Sequence, residues 1–584
     1  MAHPESRAES TSRLSHAILI LASAGFVALA TGVAEAAYLG IRQSILGHFI
    51  WSNRQFAWMT PLSWLGFFGA MALPFALVGA RWPRWPVLPV MVGGLTFLGA
   101  SGFIRLASAH RLHPVAVGVL AVGVALQVGI RVHRRARDWR RIVRVGVPGL
   151  AGVVMLWGGA TSFVWQWRER QATAALGAPP SGAPNILLLV LDTVRGHNMS
   201  LYGYPRPTTP VIDRLAARGT TFDWAFSTAP WTLPSHATMF TGRWPWELSV
   251  GFLAPLDGAF PTVAERLSAR GYLTAGFAAN HIYATYETGL TRGFVHYEDY
   301  PLTPKQIGLS SELGQMLSDK KSSLAIRHVD RSYAETINRR FLDWLPTAGG
   351  RPYFAFLNFM DAHLPYETPA DWERRFDSAA DRRVNRYDAA LGYLDSQLGV
   401  LFDSLAARHA LDNTIVIITS DHGEHLGDHG IDDHANSLYA QLLRVPLVVV
   451  WPEQIPSGRR IEAAVSLIDL APTIMDLAGA SADSGFVGSS LRRFWEADSV
   501  PGDSVLFAAV DQHPMRKSWY RNRDGPLWAA ITGEHHLILN PDSTRELFRY
   551  RVDPDESANL AADPTEASLV QRLLAALRPQ MGDH

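Results

Sequence analysis

The sequence predicts an α/β protein whose mostly parallel sheet is flanked by helices. An all-α bundle of about five transmembrane helices precedes the sheet, and a small C-terminal subdomain closes the chain. Three observations carry this. Residues 1–170 are dominated by Ala, Val, Leu, Gly, Trp and Phe, whereas the rest has the mix of an ordinary water-soluble domain. The first part holds five apolar segments, each long enough to cross a hydrocarbon core of about 30 Å as a helix. Beyond residue 184, short apolar runs alternate with helical patterns, as in strands joined by crossover helices.

The five segments lie near 16–39, 57–79, 87–108, 113–130 and 143–163. The first follows Arg7 and Arg13, as a signal peptide would. It is long for one, and further apolar segments follow, so it reads as an uncleaved span. Between the fourth and fifth, residues 131–141 carry six arginines against Asp138 alone. Such a loop stays in the cytoplasm, so the fifth segment runs outward. The expectation is an integral protein of a bacterial-type inner membrane, with everything after about residue 165 extracytoplasmic. Arg81 and Arg84 fall on the cytoplasmic side, while Arg42, Arg54 and Arg111 fall outside; a basic patch that recruits a partner is the alternative. Trp82, Trp85 and Trp139 are expected as interface anchors. Glu35 and Arg105, near outer helix ends, are expected to snorkel, a functional role facing lipid being the alternative. With so little charge inside the segments, a transport path is disfavoured.

Across 584 residues more than one domain is expected, and a formal net charge of zero gives no reason to expect a nucleic-acid partner. The chain has no cysteine, which excludes disulfides, thiolate metal sites and a cysteine nucleophile. The expected division is a transmembrane domain over 1–170, a linker over 171–184, a catalytic domain over 185–498 and a C-terminal subdomain over 499–584. The linker, QATAALGAPPSGAP, is rich in small residues and proline.

The run 185–191 (NILLLVL) reads as a buried parallel strand ending in Asp192. A second, 353–360, ends in Asp361, and a third, 414–420, ends in Asp421 and His422. Residues 273–279 and 445–450 add two more strands, with helical patterns at 211–218, 262–270 and 386–408. Ligands of open α/β sheets bind beyond the carboxyl ends of the strands. Three such ends carrying carboxylates, two with a nearby histidine, are more than turn chemistry requires. In 229–242 (APWTLPSHATMFTG), Pro234 suits the first turn of a helix and Gly242 its end. Thr232 then sits at a helix N-terminus, where free N–H groups favour an anion, although a plain N-cap is the alternative.

Here the chain resembles the sulfatase family of the alkaline phosphatase superfamily. Thr232-Leu233-Pro234-Ser235-His236 followed by Thr241-Gly242 is similar to that family's signature, in which Cys or Ser precedes x-Pro-Ser-Arg. VLDTVRGHNMSLYGY and ITSDHGEHLGDHG resemble its two metal-binding segments. FMDAHLPY, SLYAQLLRVPLVVV, SLIDLAPTIMDLAG and ELFRYRVDPDESANL resemble further stretches, all in family order from 185 to about 560. The resemblance implies an alkaline-phosphatase-like sheet and a divalent cation held by Asp192, Thr232, Asp421 and His422. It implies Thr232 as nucleophile, with His363, His434 and His236 as catalytic contacts to the anion or the leaving group. His236 stands where the family carries arginine, and a capping histidine is its alternative. His425 and His429 are expected in solvated loops. A second zinc site from Asp361, His363 and His434 is conceivable.

Three departures bear on the chemistry. Threonine cannot give the formylglycine of hydrolytic sulfatases, Thr193 stands where a second aspartate is usual, and His422 replaces an oxygen ligand. The mixed O/N set suits Mn²⁺, Zn²⁺ or Mg²⁺ better than Ca²⁺. With five preceding helices, these departures resemble lipoteichoic acid synthases and phosphoethanolamine transferases. The expected function is cleavage or transfer of a sulfate or phosphate ester, the substrate being an ester that a lipid headgroup or envelope glycan could carry. A silent binding or scaffolding domain is the alternative from another class. Residues 301–350 carry no legible motif and are expected to shape the substrate pocket.

Overall fold

The computed structural model describes residues 4–46, 49–50, 53–82, 84–109, 111–300, 302–318, 331–378, 380–480, 485–496, 504–515 and 517–582. The chain forms two compact units, one made of 1–170 and 301–329, the other of 171–300 and 330–584.

In the first unit the apolar segments become α1 (Pro4–Ser44), α2 (Phe56–Arg81), α3 (Val87–Ala107), α4 (Pro114–Arg134) and α5 (Ala136–Ala175). Among the described residues these five helices are long and apolar enough to cross a membrane. Small residues let them pack closely. A Cβ on Gly32 of α1 would lie 2.3 Å from the Pro61 Cα of α2, so those two backbones touch there. Trp82 and Trp85 stack at 5.3 Å and stay exposed. Trp139 differs from its expectation: it turns inward, donating to Ser23 Oγ at 2.9 Å and meeting Phe26 edge-on.

Glu35 does not snorkel. It is buried, and its carboxylate accepts from Trp64 Nε1 at 2.6 Å and from the Glu312 backbone N–H at 2.7 Å. Glu312 opens a short helix that follows another in the segment expected to shape the substrate pocket. After α6 (Pro210–Ala216), α7 (Thr232–Thr241) and α8 (Val263–Ala269) of the second unit, the chain makes α9 (Pro304–Leu309) and α10 (Glu312–Ser318) in the helical unit. Thr60 Oγ1 and Ser63 Oγ donate to the Ser310 and Gly308 carbonyls at 2.9 and 2.7 Å, and Arg105 pairs with Glu312 at 3.3 Å. Backbone polar groups buried among apolar helices need such partners, which is why Thr60 and Ser63 sit on an otherwise greasy helix.

The second unit is built on strands β1 (Asn185–Leu191), β2 (Thr220–Phe226), β3 (Leu273–Phe277), β4 (His296–Glu298), β5 (Tyr353–Phe359) and β6 (Thr414–Thr419). The two-residue strands β7 (His425–Leu426) and β8 (Asp432–Asp433) pair apart, and β9 (Arg444–Val450) and β10 (Arg459–Ser466) complete the main sheet. Its order is β10-β2-β9-β6-β1-β5-β3-β4. All pairings are parallel except those of β9, which runs antiparallel to β2 and β6. The link from β6 to β9 contains no crossover helix longer than one turn, so the chain returns antiparallel. Leu187 and Leu189 bury one sheet face against α6 and two later helices, Ala334–Trp344 and Arg382–Ala406. Ile186, Leu188 and Val190 bury the other against α7, α8 and the helix Leu470–Leu477. A four-stranded antiparallel sheet, β11 (Leu506–Val510), β12 (Leu527–Ile531), β13 (His536–Leu539) and β14 (Arg545–Phe548), carries the C-terminal helix Ala567–Met581. The tail of the ELFRYRVDPDESANL run is structural: Glu556 accepts from the Ala440 N–H at 2.8 Å and pairs with His536.

One buried carboxyl links stability to pH. Asp395 accepts the Val211 and Ile212 N–H groups at 2.8 and 2.9 Å at the start of α6, and burial pushes its carboxyl up to about 7. A group that holds its proton more tightly when folded contributes fully below its unfolded value of about 3.9. That contribution is lost as pH rises through about 7. The melting temperature should therefore fall more between about pH 5 and about pH 8 in the wild type than in Asp395→Asn. Parallel profiles for the two proteins, measured by thermal unfolding in detergent, would refute the linkage.

Candidate active site

The carboxyl ends of four adjacent strands, β6, β1, β5 and β3, converge on one edge of the sheet. Asp192 follows β1, and Asp421 and His422 follow β6; all three are fully buried. Their ligand atoms lie within 4.8 Å of one another. Thr193 holds φ of +63°, a strained conformation for a β-branched residue. It is fixed there because its N–H donates to Asp421 Oδ1 at 3.3 Å and its carbonyl accepts from Tyr387 at 2.8 Å.

Thr232 is the first residue of α7, its hydroxyl buried at the helix start, and Gly242 ends the helix at φ of +61°. Thr232 Oγ1 stands 3.5 Å from His422 Nε2 and 3.4 Å from Asn280 Nδ2, which also donates to Asp192 Oδ2 at 2.9 Å. His422 Nδ1 lies 2.8 Å from the Gly423 carbonyl, so Nδ1 bears the proton and Nε2 presents its lone pair. Burial holds this imidazole neutral, its pKa well below the ordinary value. Nε2 is 3.5 Å from Asp421 Oδ2 and 3.9 Å from Asp192 Oδ1.

Those last two oxygens are buried with no hydrogen-bond partner. Burial first, and repulsion from Asp192 second, push the Asp421 carboxyl well above the carboxylate range. Two orphaned like-charged oxygens facing an imidazole lone pair and a hydroxyl are costly without a cation and well shaped for one. The group is a candidate metal centre that these residues fit.

His434 comes to the same place, its ring 4.6 Å from that of His422 and 5.1 Å from that of His363. Burial alone would lower its pKa, but Glu424 and Asp433, 3.0 and 3.2 Å from Nδ1, raise it to about 10. It is therefore an imidazolium at neutral pH. His363 follows β5 on a turn held by Arg331, which donates to the His363 and Leu364 carbonyls at 3.0 and 2.6 Å.

His236 lies beneath α7, not on its open side. Its ring is fully buried against Phe240 and Phe356, and Nδ1 donates to the Thr232 carbonyl one turn back at 2.8 Å. Burial lowers its pKa to about 4, so it is neutral, 3.5 Å from Asp421 Oδ2. Asp361 does not join a second metal group: its carboxylate accepts the Ala334 N–H at 3.1 and 3.2 Å and caps the helix Ala334–Trp344, whereas His434 groups with Glu424 and Asp433. His425 is not solvated but buried, bonded to Ser437 Oγ at 2.8 Å, whereas His429 is exposed and stacks on Tyr439.

Sequence reasoning missed Asn280, Glu424, Asp433 and Arg331. Asn280 follows a recognised strand, so the rule about carboxyl ends could have found it. Glu424 and Asp433 matter through a loop geometry that spacing does not reveal.

A buried group of two carboxylates and an imidazole that could hold a cation, at the carboxyl edge of such a sheet with a hydroxyl at a helix start, is the arrangement expected of a metal-dependent ester hydrolase. The sequence model of the family described as Sulfatase matches residues 184–480, and a model described as N-sulphoglucosamine sulphohydrolase, C-terminal, matches 427–582. The chain belongs to the sulfatase family, and with it to the sulfuric and phosphoric ester hydrolases. It is 25% identical over 68% of its length to the uncharacterized sulfatase YidJ of Escherichia coli (strain K12), covering 87% of that protein. It is 26% identical over 69% of its length to the choline-sulfatase of Rhizobium meliloti (strain 1021), again covering 87%. The phosphonate monoester hydrolase of Agrobacterium radiobacter shares the fold, with TM-score 0.55 and 23% identity over 68% of this chain and 96% of that one. A likeness to lipoteichoic acid synthases does not emerge from these matches.

Metal binding should be visible as stability. Saturating a chelated sample with Mn²⁺ or Zn²⁺ at a hundred times the dissociation constant adds about 2.7 kcal/mol to the folded state. Melting of the full chain should rise by several degrees, and His422→Ala should cut that rise. Equal melting with and without metal would refute the cage.

Proposed function

We propose that the chain is a membrane-anchored metalloenzyme that cleaves or transfers a sulfate or phosphate ester, with Thr232 as its nucleophile. The observation that carries this is the Thr232 hydroxyl at the start of α7, 3.5 Å from the lone-pair nitrogen of a buried Asp192–Asp421–His422 group with two orphaned oxygens. The division into transmembrane, linker, catalytic and C-terminal parts belongs to the same reading. So does the extracytoplasmic placement of the catalytic part, for which the arginines of 131–141 are the support.

A bound divalent cation, Mn²⁺, Zn²⁺ or Mg²⁺, would lower the hydroxyl pKa and polarise the ester. Asp192, Asp421 and His422 would hold it beside Thr232. Asn280 orients both Asp192 and the Thr232 oxygen through one amide. The positive end of α7 and the His434 imidazolium favour the anionic group under attack. His363, its ring 5.1 Å from that of His434, protonates the departing alkoxide or aryloxide. His236 serves as a positioning residue that fixes the first turn of α7, a role better matched to a neutral buried ring than contact with an oxyanion.

Threonine forms no aldehyde hydrate, so its ester must be released by a second attack, on phosphorus or sulfur, by water or an acceptor hydroxyl. That favours a phosphoester. The same threonine with five apolar helices favours a second reading, transfer of a phospho group from a lipid-linked donor to an envelope lipid or glycan. The Thr232 hydroxyl seated beside this group, where a nucleophile would be needed, speaks against a silent binding domain.

The test uses the full chain in detergent, because residues 301–329 belong to the helical unit. Aryl phosphate, phosphodiester and aryl sulfate are offered with each metal. Thr232→Ala should lose about a thousandfold or more in kcat, and Thr232→Ser should keep part of it. Unchanged turnover by Thr232→Ala would sink the nucleophile. An adduct trapped on Thr232 would tell phosphoryl from sulfuryl transfer by mass.

A further inference from the structure

The helical unit contains a cavity of about 400 Å³ that the ester chemistry does not use. Its walls include Trp64 of α2, Gly102 and Arg105 of α3, Val117 of α4, and Leu313 and Met316 of α10. The volume lies within the roughly 300–1,000 Å³ of ordinary ligand sites. The lining is apolar apart from two groups on α3. Ser101 Oγ lines the cavity and is buried with no hydrogen-bond partner. Arg105 lies one turn further on, its side chain 39% exposed, with Nε facing Glu312 at 3.3 Å. A guanidinium carries five donors, so it can serve a second anion beside a first. Just past the end of α3, Arg111 and His113 are exposed before α4 begins.

An apolar slot with an unmet hydroxyl inside it and a cationic rim is complementary to one kind of molecule. The slot suits an acyl chain, Ser101 Oγ can donate to an ester carbonyl, and the rim suits a phosphate. We infer that this cavity holds one chain of an anionic glycerophospholipid, with its phosphate on Arg105. Both the α3–α4 hairpin and α10 contribute walls, so the lipid would also bind down the segment 304–318. The inference rests on reading the five helices as membrane spans and is independent of the assignment of Thr232.

Gly102 offers a direct handle. A Cβ there would meet Trp64 and the Glu312 side chain at 3.4 and 3.5 Å, ordinary contact, so a larger side chain at 102 would extend into the cavity. The full chain is purified in detergent, delipidated, and incubated with phosphatidylglycerol or phosphatidylcholine of matched chains, and bound lipid is counted by native mass spectrometry. One phosphatidylglycerol per chain should be retained, with preference over phosphatidylcholine of about fivefold, the effect of one arginine on a headgroup of net negative charge, since choline offsets the phosphate of phosphatidylcholine. Arg105→Gln should remove that preference while keeping some binding of both lipids, and Gly102→Leu should remove both. Hydrolysis of an aryl ester, unchanged in each variant, reports that the catalytic unit is intact. Equal retention of the two lipids by the wild type, or undiminished phosphatidylglycerol in both variants, overturns the site. A full chain that stays dispersed without detergent or lipid would instead remove the spanning reading itself.

Discussion

The catalytic unit is organised by one unfavourable pairing: Asp192 and Asp421 end neighbouring parallel strands and bury unpartnered oxygens within reach of each other. Two like charges out of water carry a penalty that no single hydrogen bond offsets. The surroundings are arranged to limit it without cancelling it. Asn280 takes one Asp192 oxygen, the Thr193 and His422 amides take one Asp421 oxygen, and the other oxygen of each has no hydrogen-bond partner. The left-handed backbone at Thr193 follows from this demand, since it turns an amide onto Asp421. The neutral tautomer of His422 answers the same demand, as does the seating of a hydroxyl at the first turn of α7.

Charge in the site is thereby sorted by depth. His422 and His236, fully enclosed, are neutral, while His434, paired to Glu424 and Asp433, is cationic. A tetrahedral anion beside Thr232 would be favoured by the positive His434 ring, and Asp192, Asp421 and His422 would hold a cation that adds to that field. The preorganisation lies in the pairing of each histidine, since all three rings are chemically identical.

Much of this was legible because it is local. An apolar run ending in Asp, or a threonine two residues before a proline of a helix's first turn, is visible in a few letters, and Asp192, Asp421, His422 and Thr232, singled out that way, lie together in the structure. What failed was direction. Asp361 ends its strand by the same rule yet turns to cap a helix, and His236, read as an anion contact, faces the core, because spacing does not say which way a side chain points. The strands β2 and β10 were missed. In β2 an Asp interrupts the apolar run, and β10, at the sheet margin, is half-exposed. Glu35 was misjudged for a different reason: its partner at Glu312 lies 277 residues away, a separation at which sequence pattern carries no signal.

That separation imposes an order on the making of the protein. The bundle emerges first from the ribosome, but the partner of its buried carboxylate belongs to a helix encoded after the first four strands of the main sheet. At about 5–20 residues per second, the chain between α5 and α10 takes on the order of ten seconds to synthesise. For that interval Glu35 has Trp64 alone, and the faces of α2 and α3 that α9 and α10 will cover stand uncovered. A quality-control protease that samples exposed polar groups would meet its best opportunity then, which makes correct docking of a segment born late a checkpoint for the part born first.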